Sequence, residues 1–227
     1  MSRRAAITLG LGSAAAVVGG ALLPRDSASA TDGVAAGESC APTPEVTEGP
    51  FFPRRRPADS DADLTRVAGR AGRADGEVIV VHGRVVDEAC APVAGAVIDL
   101  WQANRHGRYD HEADPNDAPL DANFQGSAHL VTGEDGSYRV RTIMPGAYPA
   151  SPGWDRPPHL HFKVARRGYH ETTTQMMFAG HALNEADRLL RALPAEEQEH
   201  VLVVASAERD AEDDAPVYTF DLVIRRV

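Results

Sequence analysis

The chain has 227 residues, 43% of them hydrophobic, and a formal net charge of −10. That length suits one cored domain with tails. The acidic balance argues against a nucleic-acid partner, whose binder would carry the opposite charge or a dense basic patch. The one basic run, Arg54-Arg55-Arg56, lies between Pro53 and Pro57 and reads as a solvated loop.

In chain order, Ser2-Arg3-Arg4 precedes an Ala/Gly-rich apolar stretch from Ala5 to Leu23, and Ala28-Ser29-Ala30 fits a small-residue cleavage site. This is the pattern of a twin-arginine export signal over residues 1–30. A membrane anchor is the alternative, but the stretch is barely long enough to span and holds Gly10, Gly12, Gly19 and Gly20. No second apolar span follows, so no stable membrane insertion is expected after cleavage. The expected location is outside the cytoplasm, in the cell-envelope space or beyond. Residues 31–76 read as an N-terminal arm and linker, with 53–76 as a long surface segment rich in Arg, Asp and Gly.

From residue 77 onward the pattern is β. Strands are expected at Val78–Val86, Ala96–Ala103, Ser137–Ile143, His159–Val164, Thr172–Phe178, His200–Ala205 and Val217–Arg225, most with turn residues between them. Tyr218, Phe220, Leu222 and Ile224 share one face of the last. One helix is expected where Leu183, Ala186, Leu190 and Leu193 recur at helical spacing, with Pro194 just past its end. The acidic run Asp210–Asp214 reads as solvated. The fold class is all-β: an antiparallel β-sandwich over 77–227 with long loops and one short helix.

Cys40 and Cys90 form no zinc-type spacing. An exported chain can join them in a disulfide, and two free thiols are the alternative.

His159-Leu160-His161-Phe162 carries the clearest chemical signal. Alternation along a strand puts His159 and His161 on one face, within reach of a single metal, and Leu160 and Phe162 on the other. On its own this pair is no more than two partly buried histidines. Arg156 lies just upstream between Asp155 and Pro157, where a cation beside two imidazoles needs an anion or carboxylate to serve. Tyr109 and Tyr148 each sit on a loop after an expected strand, where packing aromatics are also common.

Together these segments resemble the intradiol ring-cleavage dioxygenases, the family of the catechol and protocatechuate dioxygenases. The matching pieces, in the family's order, are Thr47-Glu48-Gly49-Pro50-Phe51-Phe52, then Asp99-Leu100-Trp101-Gln102-Ala103-Asn104 with Gly107-Arg108-Tyr109. Pro145-Gly146 with Tyr148-Pro149 follows, then Arg156-Pro157 with His159-Leu160-His161-Phe162, and Thr173-Thr174-Gln175 with Phe178-Ala179-Gly180. His181 stands where many members have Asp, and Pro158 where many have Ala.

The resemblance implies a mononuclear iron(III), Fe(3+), held by Tyr109, Tyr148, His159 and His161. Tyr148 would be the ligand that substrate displaces, and Arg156 and Gln175 the residues facing substrate. It implies cleavage of a catechol-type ring between its hydroxyl carbons with O2, giving a cis,cis-muconate. Phenolate oxygens suit a hard trivalent ion. No N-terminal helical dimerisation region of the catechol-dioxygenase kind is present. The competing readings are a secreted, non-catalytic transthyretin-like β-sandwich binding module and a zinc hydrolase. The latter lacks a carboxylate base beside the histidines.

Overall fold

The computed structural model describes residues 39–54 and 59–227. The expected export signal, the arm up to residue 38, and Arg55 and Arg56 of the basic run lie outside the described residues.

The first sheet is built on β1 (Val78–Asp87), whose Val and Ile residues suit a pleated surface buried on both sides. It pairs antiparallel with β4 (Ser137–Ile143) and parallel with β11 (Pro216–Thr219) and β12 (Leu222–Ile224), while β10 (Ala205–Arg209) lies beyond β11. The second sheet runs in the order β3 (Ser127–Val131), β2 (Val97–Trp101), β7 (His159–Ala165), β8 (Thr172–Phe178) and β9 (Leu202–Val203). A ribbon of β5 (Tyr148–Ser151) and β6 (Trp154–Arg156) stands apart from both. The sandwich is therefore antiparallel apart from the β1–β11, β1–β12 and β8–β9 pairs, where long intervening excursions supply the crossover that parallel pairing needs.

The core lies between the two sheets. Ile79, Val81 and Val140 from the first meet Ile98, Leu100, Leu160, Phe162 and Met176 from the second. Phe162 packs 5.2 Å from Phe220 and 6.0 Å from Tyr138, and Phe178 packs 5.0 Å from Tyr218. Burying side chains of this size contributes about 1.5–3 kcal/mol each. At Gly83 the backbones of β1 and the β11–β12 junction come so close that a Cβ would lie 2.1 Å from the Phe220 carbonyl oxygen. There the Asp221 carboxylate accepts the Arg84 N–H at 2.8 Å in place of a ladder bond.

Four expectations are corrected. The helix expected around Leu183–Leu193 is instead two 3-10 turns, Ala182–Ala186 and Leu190–Ala192. The α-helix α1 (Ala195–Val201) begins after Pro194, which serves as its N-cap and not as a stop. Asp187 breaks the run: its extended backbone closes the first turn, and its carboxylate accepts the N–H groups of Leu189 and Leu190. Consequently the strand expected from His200 begins only at Leu202.

The segment expected on the surface buries Leu64 and Thr65 completely, with Leu64 bonded to Arg141 and Gln125. Nor is the Asp210–Asp214 run simply solvated. Asp210 is buried and pairs with Arg139 and Arg141, and Arg141 also binds Glu212 at 2.7 Å and Asp213 at 2.8 Å.

Cys40 and Cys90 are joined in a disulfide. From it the arm runs across the sandwich. Thr43 exchanges two bonds with Val223, and the Val46 N–H donates to Thr173. The arm then turns at Gly49 and lays Phe51 against Tyr109, ring centroids 4.6 Å apart.

Candidate metal centre

Four elements converge at one end of the second sheet. β2 ends at Trp101, and the chain enters a loop that Asn104 organises. The buried Asn104 side chain accepts the N–H groups of His106 at 2.8 Å and Arg108 at 3.1 Å. Gly107 sits there at φ +77°, and a Cβ would fall 2.2 Å from the Ala147 carbonyl oxygen and 3.0 Å from the Tyr148 Cβ. The two tyrosine-bearing loops thus pack directly on each other at a position only glycine fits. Beyond it, the Asp114 carboxylate accepts the Tyr109 N–H at 2.7 Å and fixes where that side chain starts.

Tyr109, Tyr148, His159 and His161 come together, all with little or no exposure. The Tyr109 hydroxyl lies 3.0 Å from His161 Nε2 and 3.4 Å from His159 Nε2, and the two Nε2 atoms are 3.1 Å apart. Donors about 2.0–2.1 Å from a shared cation, at 90–110° to each other, stand about 2.9–3.4 Å apart. Tyr148 closes the fourth side, its ring 5.5 Å from that of Tyr109 and 5.7 Å from that of His159.

The imidazoles are set up as ligands. His159 Nδ1 lies 2.7 Å from the Pro157 carbonyl oxygen, so it must carry the proton and Nε2 presents a lone pair. Burial, with Arg156 adding to it, pushes His159 down to about 3, which keeps the ring neutral. Burial likewise holds His161 well below its usual value, with His159 and Arg156 adding to it. His161 stacks on Trp101 at 4.6 Å and 8°, and its Nδ1 is buried without a hydrogen-bond partner. Burial raises both phenols, Tyr109 strongly, with the neighbouring tyrosine adding to it there and Arg156 opposing it at Tyr148. A bound cation would have to displace those protons, as a hard, highly charged ion does. Among the described residues no three His, Cys, Asp or Glu side chains could hold a metal by themselves. The donor set here depends on the tyrosines, and it fits iron(III).

Arg156 and Gln175 complete the surroundings. β5–β6 pairing places Arg156 opposite Tyr148, and β7–β8 pairing places Gln175 opposite His161. Arg156 is 3% exposed, donates from Nε to Asp187 at 2.7 Å and from Nη2 to the Gln175 side-chain oxygen at 2.6 Å. Gln175 in turn donates to the Thr47 carbonyl at 2.8 Å. A cleft of about 630 Å³ opens beside Tyr109, lined by Phe51, Trp101, His111 and Gln125 among others. A second cleft of about 590 Å³, near Cys40 and Val203, shares no lining residue with it.

Sequence reasoning missed Asp187, the carboxylate that Arg156 requires. The available signal was an acid at the position that, on the expected helix, falls on the apolar stripe with Leu183 and Leu190. None of the seven other histidines joins the donor cluster; His111 lines the cleft beside Tyr109, and His129 pairs with Asp99 at 2.6 Å.

Residues 47–226 match the profile of a dioxygenase family, described as Dioxygenase. The chain belongs to the intradiol ring-cleavage dioxygenase family. Among its relatives, the protocatechuate 3,4-dioxygenase beta chain of Burkholderia cepacia is 40% identical over 168 residues, covering 73% of this chain and 72% of that one. A catechol 1,2-dioxygenase of Acinetobacter baylyi is 28% identical over 201 residues, covering 82% of this chain and 63% of that one, so the chain spans less than two thirds of that relative. Among solved structures, the dioxygenase domain of a dioxygenase–carbohydrate-binding fusion from Streptomyces sp. SirexAA-E superposes with a TM-score of 0.60 at 30% identity, covering 82% of this chain and all of that one.

Proposed function

We propose that the protein is a non-haem iron(III) dioxygenase that cleaves a catechol-type ring between its two hydroxyl carbons with O2 to give a cis,cis-muconate. Tyr109, Tyr148, His159 and His161 would hold the iron. The observation that carries this reading is the convergence of the Tyr109 hydroxyl and two imidazole nitrogens within 3.0–3.4 Å of one another, with Tyr148 beside them.

Bound iron(III) would supply Lewis acidity and a template for a chelating diol. The residues of the chain do the rest. The Pro157 carbonyl keeps the His159 proton on Nδ1. Trp101 and Phe51 exclude water from the donor cluster. Tyr148, on the short β5–β6 ribbon and less deeply buried than Tyr109, would be the phenol that yields its position to substrate. Arg156 is a fixed buried cation beside that position and stabilises negative charge that builds on the ring. Gln175 steers both Arg156 and the Thr47 strap. The cleft beside Tyr109, which Phe51 and His111 help to line, would be the approach for a single-ring diol. We further infer export of the folded protein through Ser2-Arg3-Arg4 and the apolar segment after it.

Metal analysis should find about one iron per chain and a reddish phenolate-to-iron band. Oxygen uptake across a panel of catechols, with product identification, should give muconates. A colourless protein that prefers zinc would reject the reading.

A further inference from the structure

We propose that Asp187 is a positioning residue for ring cleavage: it clamps Arg156 in one orientation, so that the guanidinium presents a single uncommitted edge to the substrate position. This rests on the function proposed above.

The geometry is that of a cation held from two directions. Asp187 is fully buried, and its two oxygens have separate tasks. Oδ1 accepts the N–H groups of Leu189 at 3.1 Å and Leu190 at 2.8 Å, which ties the carboxylate to the turn behind it. Oδ2 accepts Arg156 Nε at 2.7 Å. From β8, the Gln175 oxygen takes Arg156 Nη2 at 2.6 Å. Two bonds to two nitrogens of a planar group define its plane. Among the described residues, no hydrogen bond commits Nη1. Across the β5–β6 ribbon Arg156 is the register partner of Tyr148, the residue that substrate would displace.

A buried cation beside two neutral imidazoles is tolerated only with a paired, hydrogen-bonded anion, and Asp187 is that anion. Because it is anchored by backbone N–H groups, its placement of Arg156 does not depend on whether substrate is present. Such preorganisation acts on turnover more than on ground-state binding.

The test uses the full chain and four variants. Asp187→Asn can supply only one acceptor oxygen and must turn its NH2 toward either Arg156 or the turn. It should lower kcat by about 10²-fold with little change in KM and with iron content kept. In an Arg156→Leu background the same change should alter kcat less than about threefold, since coupled residues are not additive. Asp187→Glu keeps the charge but displaces it by a methylene. It should lower kcat at an unchanged unfolding midpoint, so the proposal stays testable even where the Asn variant fails to fold. In iron-free protein labelled with 15N-arginine, the Arg156 Nε–H resonance should be protected from exchange in the parent chain and shifted or lost in Asp187→Asn, whose uncharged oxygen accepts more weakly. A parent-like kcat in Asp187→Glu, an equal further loss in the Arg156→Leu background, or an unchanged Nε–H resonance in Asp187→Asn would overturn the clamp. Arg156→Leu turning over at the parent rate would instead remove Arg156 from the reaction, and the clamp with it.

Discussion

Replacing Cys40 and Cys90 together by Ser should destabilise the protein by about 4 kcal/mol. The disulfide joins residues 50 apart in sequence, and the chain-entropy relation for a closed loop of that length gives about 14 cal/mol/K, or about 4 kcal/mol at 25 °C. For a domain of this size each kcal/mol moves the unfolding midpoint by about 2–4 °C, so the expected fall is about 8–16 °C. The closed loop contains β1, so the constraint bears on the centre of the first sheet as well as on the arm. Denaturant unfolding followed by tryptophan fluorescence is the direct assay, because Trp101 stacks on His161 inside the site. The arm also brings Thr47 to Gln175 and Phe51 to Tyr109. Its bonds to Val223 and Thr173 remain in the variant, so the loss should appear first as stability and second as a raised KM for the diol. A double-Ser variant within about 1 kcal/mol of the parent would refute the reasoning and show that the open chain already holds the loop closed.

His161→Ala should lose iron, since it removes one Nε2 and leaves a void against Trp101; metal analysis and the visible band both read this. Gly107→Ala should cost about 1–3 kcal/mol from the positive φ alone. It should also weaken iron binding, because the new Cβ collides with the Ala147–Tyr148 loop; calorimetry and an iron titration check both, and unchanged iron affinity would reject the packing argument. Replacing Arg3 and Arg4 by Lys should stop export of folded enzyme, measured by fractionation of expressing cells.

The strands that alternate strongly were legible. Ser137–Ile143 falls where apolar alternation and the turn residues before it put it, and Thr172–Phe178 also matches its expected span. β3 was not, because Ser127–Val131 lacks strong alternation, and neither was the β5–β6 ribbon, whose short strands include Pro149. The helical period at Leu183–Leu193 misled because Asp187 spends its side chain on the backbone and on Arg156. At the site, the shared face of His159 and His161 follows from strand period alone. That Tyr109 and Tyr148 meet them does not. They arrive from separate loops, and only the resemblance of whole motifs brought them together. Phe51 lies on an arm with no regular structure, so strand and helix periods say nothing of its place, and only its matching motif pointed to the pocket wall.

The position of β1 bears on how the protein is made. Its partners include the last two strands, so that His82 and Thr219 meet across 137 residues of chain. A ribosome releasing the chain from the N-terminus exposes the valine-rich β1 long before β11 and β12 exist to cover its edge. Until then β4 is its available neighbour. Contacts this distant in sequence slow folding, and the uncovered edge is a template for pairing with other nascent chains. Loss of the segment 216–224 would leave β1 permanently half-paired. C-terminal truncation should therefore yield aggregates rather than a smaller soluble domain.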